Sequence, residues 1–135
     1  MASPNRLRFH NPSTLPAPRG YTHAVEARGG RTIYISGQVA MDAEGQLVGR
    51  GDFRAQVEQV FANLGAALDA AGADFGDVVK LGFYVLDVAN LPIAREVRDR
   101  YVNVGQPPAS TAVQVSSLVQ PDWLVEVDAI AVAAD

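Results

Sequence analysis

The C-terminal stretch PPASTAVQVSSLVQPDWLVEVDAIAVAAD, residues 107–135, decides how this chain folds. It contains two runs rich in Val, Ala and Ile, residues 112–115 and 123–132, on either side of a polar break. Val, Ile and Thr fit a pleated, half-buried surface, whereas prolines and short polar residues favour turns. The stretch therefore predicts two strands near the end of the chain.

The second run places two carboxylates on one face of a mostly apolar strand. Successive side chains of a strand alternate, so Glu126 and Asp128 share a face with Ile130, while Val127 points the other way. A carboxylate covered on that face needs a partner, because burying a lone charge is costly. Two interpretations stay open: a salt bridge or solvated strand face, or an Asp128 that faces a cleft and handles a proton or a water.

Composition narrows the function classes. The length of 135 residues fits one domain, and the net charge of −4 gives no basic surface for nucleic acid. Cysteine is absent, and His10 and His23 have no ligand spacing, so neither thiolate chemistry nor a metal site is expected. No apolar run is long enough for a membrane span or a signal core, which predicts a cytoplasmic protein with no membrane partner.

Upstream of the decisive stretch, the chain begins with a proline-rich segment. Residues 1–20 hold four of the eight prolines and are expected to be largely irregular, with a short edge strand at 7–10. Two β-type runs, residues 21–28 and 31–36, flank Gly29-Gly30 and predict a hairpin.

Two helices are expected between this hairpin and the C-terminal strands. The first begins at Asp52 and ends near Gly72, a strand covers 78–86, and the second helix lies near 91–102. This order predicts one α+β domain over residues 1–135, a mixed β-sheet with two helices packed on one face. Apolar residues of the first helix recur at spacings of three and four: Val57, Val60, Phe61, Leu64 and Leu68.

With both helices on one face, the opposite face of the sheet has no cover. Several strands are expected to place apolar residues there, and an exposed apolar patch of that size usually marks an interface. We therefore expect a homo-oligomer with sheets packed around a central axis.

Several pieces of the chain, in order and spacing, carry a family resemblance. They are residues 35–38 (ISGQ), 56–64 with 70–72 (AAG), 77–80 (DVVK), Pro108-Ala109 with Val113 and Val115, and 125–132 (VEVDAIAV). With them the chain resembles the RidA/YjgF family of small trimeric proteins over nearly its whole length. The resemblance implies a chorismate-mutase-like α+β homotrimer with sites between subunits. It also implies cofactor-free hydrolysis of reactive enamines and imines, such as 2-aminoacrylate, to 2-keto acids.

One departure from the family pattern concerns the substrate carboxylate. The family motif Pro-Ala-Arg-Ser supplies an arginine that pairs with it bidentately, but the chain has Ser110 at that position, after Pro108 and Ala109. Loss of a charged hydrogen bond to a carboxylate costs about 1.5–3 kcal/mol. We therefore expect little standard 2-aminoacrylate activity.

The remaining site residues are those that the resemblance implies. Asp128 takes the place of the family's water-handling glutamate and Tyr21 joins it as a catalytic residue, while Gly37, Arg95, Ser110 and Ala112 bind substrate. Each also has an ordinary structural explanation, such as a solvated helix arginine for Arg95 or seam packing for Tyr21.

Three functions follow in order of preference. The first is a Rid-type homotrimer that binds, and hydrolyses or deaminates, a small reactive enamine, imine or related carbonyl compound. The second is a trimer that binds a small ligand without turnover, which the missing arginine favours. The third, an endoribonuclease, is disfavoured by the acidic charge, and no nucleic-acid partner is expected.

Overall fold

The computed structural model describes residues 6–135, in which two helices and six strands form an α+β fold. The predicted fold class, a mixed sheet with two helices, is confirmed. In chain order the elements are β1 (Leu7–His10), β2 (Ala24–Ala27), β3 (Arg31–Gln38), α1 (Phe53–Ala70), β4 (Val78–Val85), α2 (Leu91–Arg98), β5 (Ala109–Gln114) and β6 (Val125–Ala133).

The strand β6, from the decisive stretch, lies inside a four-stranded sheet of order β3-β6-β4-β5. It pairs antiparallel with both β3 and β4, whereas β4 and β5 are parallel. A parallel pair needs a crossover connection, and α2 lies in the segment that supplies it. The two C-terminal runs are therefore separate strands that do not pair with each other.

The side chains of β6 divide as its alternation predicts. Val125, Val127, Ala129 and Ala131 are buried on the side that carries the helices, and they pack with the apolar stripe of α1. Glu126 and Asp128 are only half-buried on the opposite side. We call that opposite side of the sheet the open face.

Helix α1 begins and ends where the sequence predicts. The side chain of Asp52 accepts a hydrogen bond from the backbone N–H of Ala55 at 3.1 Å, and this satisfies one free donor of the first turn. The chain leaves the helix at Gly72, whose φ of +71° suits glycine. Every residue of the predicted apolar stripe is fully buried.

The predicted hairpin is wrong. The strand β2 pairs with β1 in a separate two-stranded sheet, and β3 pairs with β6 instead. Both Gly29 and Gly30 have positive φ, and they carry the chain from the small sheet to the large one. The physical reason is strand length. The eight-residue strand β3 gains a long, mostly buried partner in β6, whereas β2 has only four residues to pair with it.

The second helix is shorter than predicted and ends at Arg98 rather than near residue 102. Beyond it, the amides of Arg100 and Tyr101 bond three residues back, a tighter winding than an α-helix. This winding places Tyr101 against Phe61 and Phe75, at ring-centroid distances of 5.2 and 5.1 Å. Beyond Arg98 the chain thus brings Tyr101 into an aromatic cluster instead of continuing the α-helix.

The open face is more polar than the sequence indicated. Tyr34 is 78% exposed and Val113 39% exposed on it, but Lys80, Glu126 and Asp128 share the same surface. The expectation of a largely apolar face is therefore only partly correct. Neither helix within residues 6–135 is long and apolar enough to cross a lipid bilayer.

Candidate functional site

Predicted site residues lie in two places on opposite sides of the sheet. Tyr21, Arg95, Ser110 and Ala112 line one cavity of about 610 Å³ between α2 and β5, which we call the α2–β5 cavity. Gly37 and Asp128 lie together on the open face. A single chain therefore brings four of the six residues into one cavity and the other two into a second cluster.

Ser110 and Ala112 face the α2–β5 cavity because of the register of β5. Ser110 lies opposite Leu81 and Ala112 opposite Phe83, both of which point toward the helices. Residues opposite each other on paired strands point to the same side of a sheet. The hydroxyl of Ser110 is half-buried at the position where the family places an arginine.

Tyr21 reaches the same cavity because its neighbour Thr22 is tied to the start of β5. Thr22 is fully buried; its backbone N–H donates to the carbonyl of Pro108 at 3.2 Å, and its hydroxyl donates to the carbonyl of Pro107. The Tyr21 ring meets His23 edge to face at a centroid distance of 5.2 Å. These contacts hold Tyr21 at the cavity that Ser110 also lines.

Helix α2 contributes a guanidinium that the sequence did not identify as functional. Arg98 is only 6% exposed and lines the cavity with Arg95. Its Nε and Nη2 donate to Oδ1 of Asp99 at 3.0 and 2.8 Å. Its position seven residues after half-buried Leu91, two turns along the same face of α2, was the sequence signal for this inward direction.

The loop before Tyr21 is shaped around the same guanidinium. Gly20 has a φ of +77°, and a Cβ there would lie 2.8 Å from Nη2 of Arg98. Arg19, the residue before it, lines the cavity as well. Arginines from α2 and from this loop thus surround the site where the expected arginine is missing.

The cluster on the open face is built on a pair of carboxylates. The hydroxyl of Tyr84 donates to Oδ2 of Asp128 at 3.1 Å. This hydrogen bond, with the negative charges of Asp128 and Glu126 and with burial, raises the pKa of the Tyr84 phenol, because a phenolate there would face two carboxylates. Asp128 also lies against Gly82, where a side chain would collide with Oδ1.

The second carboxylate, Glu126, was seen in the sequence but not assigned to the site. Its side chain lies against Gly37, where an added Cβ would collide with Oε2. Among residues 6–135, no side chain or backbone group hydrogen-bonds to the Glu126 carboxylate. Asp128 accepts the hydrogen bond of Tyr84, whereas Glu126 accepts none within residues 6–135 and faces the open side of the sheet. Strand alternation places Glu126 on the same face as Asp128, and this was the sequence signal that could have assigned Glu126 to the site.

The described residues, 6–135, contain no group of three His, Cys, Asp or Glu side chains placed to hold a metal ion.

Comparison with known proteins identifies the family. The family model described as "Endoribonuclease L-PSP" matches residues 12–133. "Protein DfrA" of Myxococcus xanthus is 38% identical over 95% of this chain and 96% of its own length. The "2-iminobutanoate/2-iminopropanoate deaminase" of Mus musculus is 41% identical over 89% of this chain and 88% of its own length.

Solved structures point to the same family as the sequence relatives. A Rid family protein, YyfB from Yersinia pestis, has a TM-score of 0.82 at 38% identity, covering 94% of this chain and 98% of that chain. RidA from an Antarctic Psychrobacter has a TM-score of 0.70 at 36% identity, covering 87% and 91%. The chain belongs to the Endoribonuclease L-PSP family, the group that includes RidA and YjgF proteins, and the predicted resemblance and chorismate-mutase-like fold are confirmed.

Proposed function

We propose that the protein is a homotrimeric imine hydrolase, which converts the imine or enamine of a small metabolite to a carbonyl compound in clefts between subunits. One observation carries the proposal: a single chain holds two complementary half-sites on opposite sides of its sheet. The α2–β5 cavity has guanidiniums but no free catalytic carboxylate, while the open face has the unengaged Glu126. Packing the open face of one subunit against the cavity side of the next would complete the site.

Relatives supply the reaction class. Mammalian relatives about 40% identical to this chain are named imine deaminases, and the chain covers nearly their whole length. Imine hydrolysis needs a group that moves protons and a group that orients the substrate, and both kinds of side chain are present.

In the proposed reaction, Glu126 accepts a proton from water while the hydroxyl adds to the imine carbon. The same proton then passes to the nitrogen, which gives a carbinolamine and restores the carboxylate. Glu126 next takes the proton of the carbinolamine hydroxyl and delivers it to the nitrogen, so that the carbonyl forms as the carbon–nitrogen bond breaks, ammonia leaves and Glu126 is again a carboxylate. One imine and one water thus give one carbonyl compound and one ammonia, with no cofactor.

The substrate differs from that of an arginine-bearing relative. Ser110 cannot make a bidentate contact with a carboxylate, so the standard 2-aminoacrylate reaction should be slow. Arg19 and Arg95 line the same cavity without an ion-pair partner within residues 6–135, and they are the groups available to hold an anion there.

A coupled assay tests this proposal, with imines made in place by an amino acid oxidase and loss of imine followed spectroscopically. We expect Glu126→Gln to reduce the rate by about 100-fold or more, because a general base is removed with its shape kept. Asp128→Asn is the matched control on the same strand and should reduce it by less than about tenfold. Equal losses in both variants, or no loss in Glu126→Gln, would reject Glu126 as the proton carrier.

The alternative is a trimer that binds a small ligand without turnover, which the replacement of arginine by Ser110 favours. In that case no imine would be consumed faster than in buffer, while calorimetry would still detect a ligand in the α2–β5 cavity.

A further inference from the structure

The α2–β5 cavity carries more positive charge than one carboxylate can neutralise. Arg19, Arg95 and Arg98 line it, and Asp99 is the carboxylate among its lining residues, so three positive charges less one negative charge leave a net +2. Asp99 already neutralises Arg98 through two hydrogen bonds. Within residues 6–135, neither Arg19 nor Arg95 has an ion-pair partner, and both are exposed at the cavity.

Two arginines near the same helix behave differently. Arg54 and Arg100, on α1 and just beyond α2, are each paired with a glutamate, at 2.6 and 2.7 Å. The two unpaired guanidiniums therefore do not reflect a general shortage of carboxylates near α2. They are found where the sequence family would place one arginine, and they come from two walls, the helix and the loop before Tyr21.

We propose that this cavity binds a small metabolite with two anionic groups, namely a 2-imino dicarboxylate or its 2-keto product. The inference rests on the proposed function, which makes this cavity the substrate site. A monocarboxylate would neutralise one guanidinium and leave a second one beside it, whereas a dicarboxylate engages both. Like charges around one cavity favour the more highly charged ligand.

The remaining walls fit such a ligand. Phe83, Leu91 and Ala94 give the cavity an apolar lining beside the guanidiniums, which suits the carbon chain of the ligand. A volume of about 610 Å³ exceeds what a four- or five-carbon diacid occupies. The hydroxyl of Ser110 adds a neutral donor where the family's arginine would otherwise supply a third cation for the ligand.

Calorimetry with two stable probes tests the inference on the intact protein. We expect 2-oxoglutarate, the dicarboxylate, to bind at least about tenfold more tightly than 2-oxobutanoate, the monocarboxylate, because a second charge-assisted contact forms. Arg95→Gln and Arg19→Gln should each lower this ratio to about twofold or less. Arg95→Lys keeps the charge and should retain most of the ratio, which separates a charge effect from misfolding.

Arg100→Gln is the matched control, since Arg100 is a nearby exposed arginine paired with Glu58 outside the cavity. It should leave the ratio unchanged. The inference would be overturned if both probes bound with equal affinity or if neither bound. It would also be overturned if Arg100→Gln lowered the affinity ratio as much as Arg95→Gln and Arg19→Gln do. If the protein bound the dicarboxylate more tightly but did not accelerate imine hydrolysis, only the proposed hydrolase activity would be rejected. Hydrolysis of monocarboxylate imines without that preference would reject this inference alone.

Discussion

At the residue scale, the molecule separates two carboxylates that look equivalent in sequence. Glu126 and Asp128 share a face of β6, but Tyr84 donates a hydrogen bond to Asp128 and leaves Glu126 unengaged. Gly37 and Gly82 give each carboxylate room that any side chain would remove. The hydrogen bond from Tyr84 thus distinguishes two carboxylates that strand alternation alone leaves equivalent.

The phenol of Tyr84 gives a prediction about pH. Its pKa is raised from the ordinary value of 10.0, so the folded protein holds this proton more tightly than the unfolded chain does. The stabilisation is complete below about pH 10 and is lost as pH rises through the raised pKa. We expect the free energy of unfolding of the natural protein to fall, relative to that of Tyr84→Phe, as pH rises above 10. If denaturant titrations gave a difference in unfolding free energy between the two proteins that did not change with pH, the hydrogen bond from Tyr84 to Asp128 would be contradicted.

Ser110 and Arg95 give a second prediction at this scale, because they line the same cavity. Ser110→Arg should increase the affinity for 2-oxobutanoate, and it should do so more strongly in an Arg95→Asn background, since two guanidiniums compete for one anion. We expect a coupling of at least about 0.5 kcal/mol from calorimetry on the four proteins of the double-mutant cycle. Strict additivity would mean that Arg95 acts independently of the position of Ser110.

At the element scale, one buried amide joins α1 to the entrance of β6. Gln56 is fully buried; its Nε2 donates to the carbonyls of Gly49 and Asp122 at 3.1 and 2.9 Å. Its Oε1 accepts from the backbone N–H of Leu124 at 2.9 Å. The helix thereby fixes the chain just before the strand that carries Glu126.

Gln56→Leu should therefore destabilise the protein by about 2 kcal/mol, because it removes three hydrogen bonds between a fully buried amide and half-buried or exposed backbone groups. The same change at exposed Gln106 is the control and should alter the free energy of unfolding by less than about 0.5 kcal/mol. Chemical denaturation measures both. Similar stabilities of the two variants would show that water replaces the three hydrogen bonds of Gln56.

At the scale of the whole molecule, the open face accounts for the expectation of a trimer. It combines exposed Tyr34 and Val113 with the polar groups of a half-site, and no helix of residues 6–135 covers it. Such a surface suits contact between copies, in which the apolar residues bury area and the carboxylates face a cleft.

Sedimentation should give a particle of three times the mass of one chain. Val113→Asp, on the open face, should dissociate it, because an interface would bury a charge without a partner. Val88→Asp is the control, since Val88 is also exposed but lies just before α2, away from that face. A single-chain mass for the natural protein, or equal behaviour of the two variants, would reject the proposed assembly and the cleft between subunits.

The sequence alone determined the elements that depend on local pattern. Alternation in β6 gave its buried face, and the spacing from Val57 to Leu68 with Asp52 at the start gave α1. Ordered family pieces gave the fold and pointed to Tyr21 and Ser110, which the structure places in one cavity. These features are local because each follows from neighbouring residues and the period of one element.

The tertiary structure decided what depends on partners distant in sequence. A hairpin between residues 21–28 and 31–36 was reasonable locally, but β3 gains a longer buried partner in β6. In the sequence Arg98 is one of several arginines on a helix, but in the fold it lies against Gly20 and is hydrogen-bonded to Asp99. Strand pairing and burial of a charge depend on contacts that no local pattern specifies, and here those contacts set the charge of the cavity.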